Sequence, residues 1–172
     1  MTAITFSTFR KAANQAKKIF PYCGTVLALD PGETTGWALF QSSQDDVLLS
    51  KAGQLKTWGM PNCVRNMTDL IKEMKPTIVV HEVYSVYEWK SQDHSWSEVP
   101  TIHVIGCIET LCIQQNILFL SQTAQIAKNF CTDDKLKSWN YYIKGERHSR
   151  DAIRHGCYFL AFGNPKPTVC KS

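Results

Sequence analysis

Apolar positions along the chain fall into two kinds of run. Short β-branched stretches bounded by turn residues read as strands, and longer stretches with apolar residues three and four apart read as helices. Residues 26–29 form the first strand signal. Asp30 follows it, Pro31 and Gly32 turn the chain, and Thr35, Trp37 and Leu39 alternate with Gly36, Ala38 and Phe40 in a second strand. Together they predict a tight hairpin with an acid at its mouth. A polar turn at 44–46 leads to a third strand over 47–55. Pro61 opens a helix to residue 75, with Val64, Met67, Leu70, Ile71 and Met74 at helical spacing, and Pro76 stops it. Residues 77–80 are a fourth, buried strand that runs out at His81 and Glu82. A second carboxylate therefore stands at the exit of a second buried strand.

Residues 83–100 read as a long polar and aromatic loop. A strongly apolar helix follows over 100–115, carrying Ile102, Ile105, Ile108, Leu111 and Cys112, as a core element or a dimer face. A fifth strand is expected over 117–120, a short helix over 123–130, a polar loop over 132–145 and a last helix over 149–162. At the other end, 7–20 predicts an amphipathic helix with Ser7 as N-cap. Phe9, Ala13, Ala16 and Phe20 share one face there, while Arg10, Lys11, Lys17 and Lys18 lie largely elsewhere. Such a helix reads as a cap over the sheet, with a basic arm on nucleic acid as the alternative. The order gives an α/β class: a three-strand antiparallel meander plus two parallel strands, flanked by helices. The expected division is a basic helical extension (1–23), one domain (24–163) and a tail (164–172).

Composition narrows this only a little. At 172 residues with 44% hydrophobic content the chain suits one globular domain. Nineteen basic against fifteen acidic residues give a formal +4, which suits a polyanionic partner without demanding one. The seven cysteines are odd in number and contain no C-x-x-C pair. That favours reduced thiols in the cytoplasm over a disulfide framework or a zinc site. No apolar stretch is long enough to span a membrane, and no secretory signal pattern is present.

The chemistry gathers at the start of the last helix. His148 and Asp151 are three apart, so they share a face. If that helix crosses the sheet near the first strand, they join Asp30 and Glu82. Three carboxylates in one place repel, and a hard divalent cation relieves the repulsion; oxygen ligands select Mg²⁺ or Mn²⁺. Two such ions about 3.5–4 Å apart activate water and stabilise the leaving oxygen in phosphodiester hydrolysis. The plainer reading makes Asp30 a turn residue bonded to its own backbone, and Ser149 or Asp151 a helix cap.

D-P-G-x-T-T-G-W-A at Asp30 to Ala38, a strand ending in Glu82, and H-x-x-D-A at His148 to Ala152 resemble the RuvC family of Holliday junction resolvases, with the phage-encoded branch the closer likeness. The resemblance spans roughly residues 25–162. It implies a ribonuclease-H-like fold, a homodimer, and two Mg²⁺ ions per active site, with Mn²⁺ as a substitute. It also implies paired nicks in four-way DNA junctions. By position, Asp30, Glu82, His148 and Asp151 match the family's metal-binding and catalytic residues. Residues before 24 are extra to the family pattern, and its glycine- and lysine-rich stretch is not recognisable in 132–145. DNA contacts are expected from Tyr84, Tyr87, Trp89 and Lys90 in the long loop, and from Lys135, Lys137 and Arg150 opposite. The expected protein is a Mg²⁺-dependent, dimeric junction endonuclease of the cytoplasm, the host's if phage-encoded. Rival readings are a broader branched-DNA or RNA–DNA hybrid nuclease, and a module that binds branched DNA without cutting. An ATPase of the actin and sugar-kinase type shares the early hairpin, but its second phosphate hairpin and adenosine site are not visible.

Overall fold

β1 (Gly24–Asp30) is the centre of the sheet in the computed structural model, which describes residues 5–84 and 100–163. Every residue from Val26 to Leu29 is fully buried. β1 pairs antiparallel with β2 (Thr34–Ser42), which pairs antiparallel with β3 (Val47–Lys56). On its other side β1 pairs parallel with β4 (Ile78–Glu82), and β4 pairs parallel with β5 (Leu118–Gln122). The order β3-β2-β1-β4-β5 is the mixed five-stranded sheet expected, a ribonuclease-H-like arrangement.

Alternation along the strands divides the core between the two faces of the sheet. Leu27, Leu29, Leu39 and Val79 pack against Cys63, Met67, Leu70, Ile71 and Met74 of α2 (Met60–Met74), and against Val104, Cys107, Ile108 and Cys112 of α3 (Pro100–Gln114). Val26, Ala28, Ala38, Phe40 and Val80 face Ala152, Ile153, Cys157 and Leu160 of α6 (Arg147–Phe162). Val64, expected on the buried face of α2, is 47% exposed, and Cys63 takes that place. On α3, Ile102 and Ile113 stand in solvent. Among the described residues no helix is long and apolar enough to cross a membrane.

The first helix, α1 (Phe6–Lys17), lies against α6, but its inner face is not the one the pattern suggested. Thr5 is the N-cap, accepting from the Thr8 N–H at 3.2 Å; Ser7 instead bonds Asp46 and the Val47 backbone. The helix ends at Lys18 in a left-handed conformation, short of Pro21, and Phe20 is 94% exposed. Arg10, expected toward solvent, is fully buried. Its guanidinium donates to Ser42 Oγ at 2.8 Å and to the carbonyls of Ser43 and Gln44 at 2.9 and 2.8 Å. Asn14 likewise donates to the Leu160 and Ala161 carbonyls. These polar residues satisfy exposed ends of neighbouring elements, so a charge on the helix does not mark its wet side. Phe6 packs its ring at a tilt against Trp139 and Tyr141 in the core, which makes α1 a cap.

β5 leads into α4 (Ala124–Phe130). The segment expected as a loop then contains α5 (Asp133–Ser138). Thr132 caps it, with Asp133 and Asp134 in its first turn, Lys135 and Lys137 in its last, and Leu136 as its buried anchor.

Candidate active site

Asp30 and Glu82 are the last residues of β1 and β4. The two strands are parallel neighbours with Leu29 beside His81, so the next step of the register brings the two carboxylates level. Both fall on the α6 side, in phase with Ala28 and Val80. The hairpin behind Asp30 is fixed by Thr57: its hydroxyl donates to the Gly32 carbonyl, its N–H donates to the Glu33 carbonyl at 2.9 Å, and Thr35 Oγ1 lies 2.8 Å from its Oγ1.

α6 reaches these strand ends because two glycines let it come close. A Cβ on Gly36 would lie 2.0 Å from the His148 carbonyl oxygen, and a Cβ on Gly156 would lie 2.2 Å from the Phe40 ring. The first turn of α6 thereby meets β2 backbone to backbone. His148 Nδ1 sits 2.7 Å from Asp30 Oδ2, and the His148 N–H donates to Gln54 Oε1 at 3.2 Å. The His148 side chain remains 43% exposed. Asp151, one turn on, is buried and held by cations: Arg154 pairs with Oδ1, and Lys128 and Arg147 approach Oδ2 at 3.4 and 3.9 Å. Arg154 also binds Asp133 and donates to the Cys131 carbonyl. One further turn brings His155, fully buried, with Nε2 3.1 Å from Glu82 Oε2 and Nδ1 3.1 Å from Gln122 Oε1.

The plain alternatives for these acids do not describe the structure. The Asp30 carboxylate reaches across to His148. The residue at the cap of α6 is Glu146, with no side-chain cap bond; Ser149 donates to Glu146 Oε2 at 2.6 Å, and Asp151 faces Arg154.

Asp30 carries the electrostatic record of the cluster. Burial pushes its carboxyl up to about 6; the His148 hydrogen bond opposes the rise, and the charges of Glu82 and Asp151 add to it. An acid raised by burial and by two neighbouring acids marks negative charge short of a counter-ion. The donors are carboxylate oxygens with one imidazole, the set that suits a hard divalent cation. Asp30, Glu82 and His148 fit that role by chemistry, while Asp151 is turned toward protein cations. Among the described residues, no three His, Cys, Asp or Glu side chains converge as a ready-made metal cage.

The expected DNA contacts are spread more widely. Tyr84 follows β4 and is half-buried. Tyr87, Trp89 and Lys90 lie outside the described residues. Lys135 donates to the Phe130 carbonyl at 2.6 Å and stands 4.7 Å from the Phe130 ring centre. Arg150 donates to the Ile143 carbonyl at 2.7 Å and stacks 5.0 Å from the Tyr142 ring, so both fasten the segment between α4 and α6. Lys137 is largely exposed beside Asp134. Two residues around the acids, His155 and Gln122, carried no sequence signal as site residues. His155 sits in an apolar helical run, and its partners are on other elements.

No protein-family model matches the chain, and no curated protein matches it in sequence. Solved structures do match. Thermus thermophilus RuvC, in complex with a Holliday junction substrate, is 12% identical with a TM-score of 0.64, over 83% of this chain and 99% of that one. The yeast mitochondrial Holliday junction resolvase Ydc2 is 8% identical with a TM-score of 0.57, over 93% and 94%. The fowlpox virus Holliday junction resolvase is 14% identical with a TM-score of 0.54, over 79% and 97%. At these identities the likeness is one of fold, and this chain has the ribonuclease-H-like fold of those proteins.

Proposed function

We propose that the chain is a divalent-cation-dependent endonuclease that resolves four-way DNA junctions. The observation that carries this reading is the contact of Asp30 with His148 at the end of β1, beside Glu82 at the end of the neighbouring parallel strand and with Asp151 one turn along α6. Asp30 binds His148 directly, and its carboxyl is raised first by burial and further by the charges of Glu82 and Asp151. The fold adds support, because proteins built on it include RuvC seen with junction DNA.

In this reading Asp30 and Glu82 hold the cation from the strand ends, and His148 and Asp151 close the site from α6. Bound Mg²⁺, two ions with Mn²⁺ able to substitute, supplies an activated water and neutralises charge at the leaving oxygen. His148 is half exposed and hydrogen-bonded to Asp30, so it can exchange a proton with solvent or serve as a nitrogen ligand. Arg154 and Lys128 fix Asp151 against the repulsion of its neighbours. Paired nicks need two such sites, and the proposed dimer face is α3 with its exposed Ile102 and Ile113, flanked by Met60 and Val64 of α2. The phage-encoded branch, and with it the host cytoplasm, rest on the motif residues alone. The test is Asp30→Asn on a labelled four-way junction: cleavage is lost while junction binding stays within a few-fold of wild type. Full cleavage by that variant would remove the assignment.

A further inference from the structure

Each strand-end acid has a histidine from α6, and only one of the two lies where solvent reaches it. His148 is half exposed, whereas His155 is completely enclosed, two helical turns away on the same face. A buried imidazole with partners at both nitrogens is held in one orientation. His155 Nε2–H donates to Glu82 Oε2 at 3.1 Å. Behind it, Nδ1 faces the side-chain amide of Gln122 at 3.1 Å. Gln122 is the register partner of Glu82 on β5, so the sheet places both on the side that α6 covers. The Gln122 NH₂ is buried, with no hydrogen-bond partner among the described residues. Its amide can therefore present oxygen to an Nδ1–H or nitrogen to a bare Nδ1, and the ring is braced in either case.

We propose that His155 is a positioning residue for Glu82: it fixes the carboxylate at the exit of β4 for cation binding, and Gln122 braces its ring. This rests on the metal-nuclease reading for the role of Glu82, but it concerns a residue that touches neither substrate nor cation. An orienting partner of this kind typically changes metal affinity by about 10- to 100-fold when removed.

The experiment measures Mn²⁺ binding by the full chain, from the electron paramagnetic resonance signal of free Mn²⁺, with circular dichroism as the check on folding. His155→Leu weakens Mn²⁺ binding by about 10-fold or more. His155→Gln, whose amide N–H still reaches toward Glu82, recovers most of the affinity, and Gln122→Leu falls between. In a Glu82→Gln background His155→Leu has less than about a two-fold further effect, because the two residues act as one unit. A folded His155→Leu variant with wild-type affinity, or an equal loss in both backgrounds, would overturn the proposal. If His155→Leu does not fold, Gln122→Leu decides it by the same comparison. Wild-type protein that binds Mn²⁺ through Glu82 yet leaves junctions uncut overturns the nuclease reading and keeps the positioning role. Junction cleavage with unaltered Mn²⁺ binding by the variants does the reverse, and wild-type protein that binds no Mn²⁺ overturns both.

Discussion

His148 Nδ1 lies 2.7 Å from Asp30 Oδ2, joining residues 118 apart in the chain. The contact exists because β1 stops at Asp30 and α6 starts directly over β2. Gly36 is the position that allows it. Its missing Cβ would overlap the His148 carbonyl carbon and oxygen, both backbone atoms that cannot rotate away. Gly36→Ala must push the start of α6 outward, costing on the order of 1–3 kcal/mol as an overpacked site and separating His148 from Asp30. Thermal melting and cleavage assays on that variant should both fall. Unchanged melting would mean that α6 does not sit on β2 as described.

The raised carboxyl of Asp30 gives the metal-free protein a pH signature. Its folded value, about 6, lies above the ordinary 3.8, so between these values the folded state binds more protons than the unfolded state. Stability from this group is therefore fully present below pH 3.8 and is lost as pH rises through about 6. At about 1.4 kcal/mol per pH unit, the penalty above that range is on the order of 3 kcal/mol. Asp30→Asn removes it. Without divalent ions the variant should melt above wild type at pH 8, and the two should converge near pH 4. Added Mg²⁺ should raise the wild-type melting temperature at pH 8, and do so less at pH 5, where Asp30 holds its proton. Parallel melting curves across this range would remove the electrostatic account of the site.

Arg154 is the counter-ion of a buried acid. It bridges Asp151 and Asp133 and also donates to the Cys131 carbonyl. Arg154→Gln leaves Asp151 to Lys128 and Arg147, the more distant cations. A loss of roughly 3 kcal/mol is expected from breaking a buried pair, measured by urea denaturation at low ionic strength. Stabilisation by Mg²⁺ should be larger in this variant than in wild type, since the cation then meets an acid with less protein charge upon it.

Arg10 tests α1 as part of the fold. Arg10→Ala removes the donor to the Ser43 and Gln44 carbonyls and to Ser42 Oγ and empties the space of a fully buried side chain, at a total on the order of 1–3 kcal/mol. Urea melts should show a loss of that size with little change in junction affinity. A reversed outcome, weaker binding with unchanged stability, would turn α1 back into a basic arm on DNA.

The parts of the fold legible in the sequence are those where burial and residue type agree. Val26 to Leu29 and Ile78 to Val80 are apolar because both faces of those strands are covered, and the acids that end them mark where the cover stops. α6 announced itself through Ala152, Ile153, Cys157 and Leu160. Arg10 and Asn14 broke the pattern, because their partners are carbonyls from other elements that no local periodicity encodes. α5 was hidden by having one apolar anchor, Leu136, although Thr132 before two aspartates is a helix-start signal. His155 was hidden differently: a lone histidine on an apolar face reads as core, and only the β4–β5 register sets Glu82 and Gln122 on either side of it.

Cleavage of a labelled four-way junction beside a matched linear duplex, with Mg²⁺ and with chelator, bears most directly on the whole account. Paired nicks at the junction that require Mg²⁺ and spare the duplex are the predicted result. Equal cutting of flaps and forks would widen the substrate to branched DNA at large. Junction binding without cleavage under any divalent ion would contradict the account and leave a protein that recognises branched DNA but does not cut it.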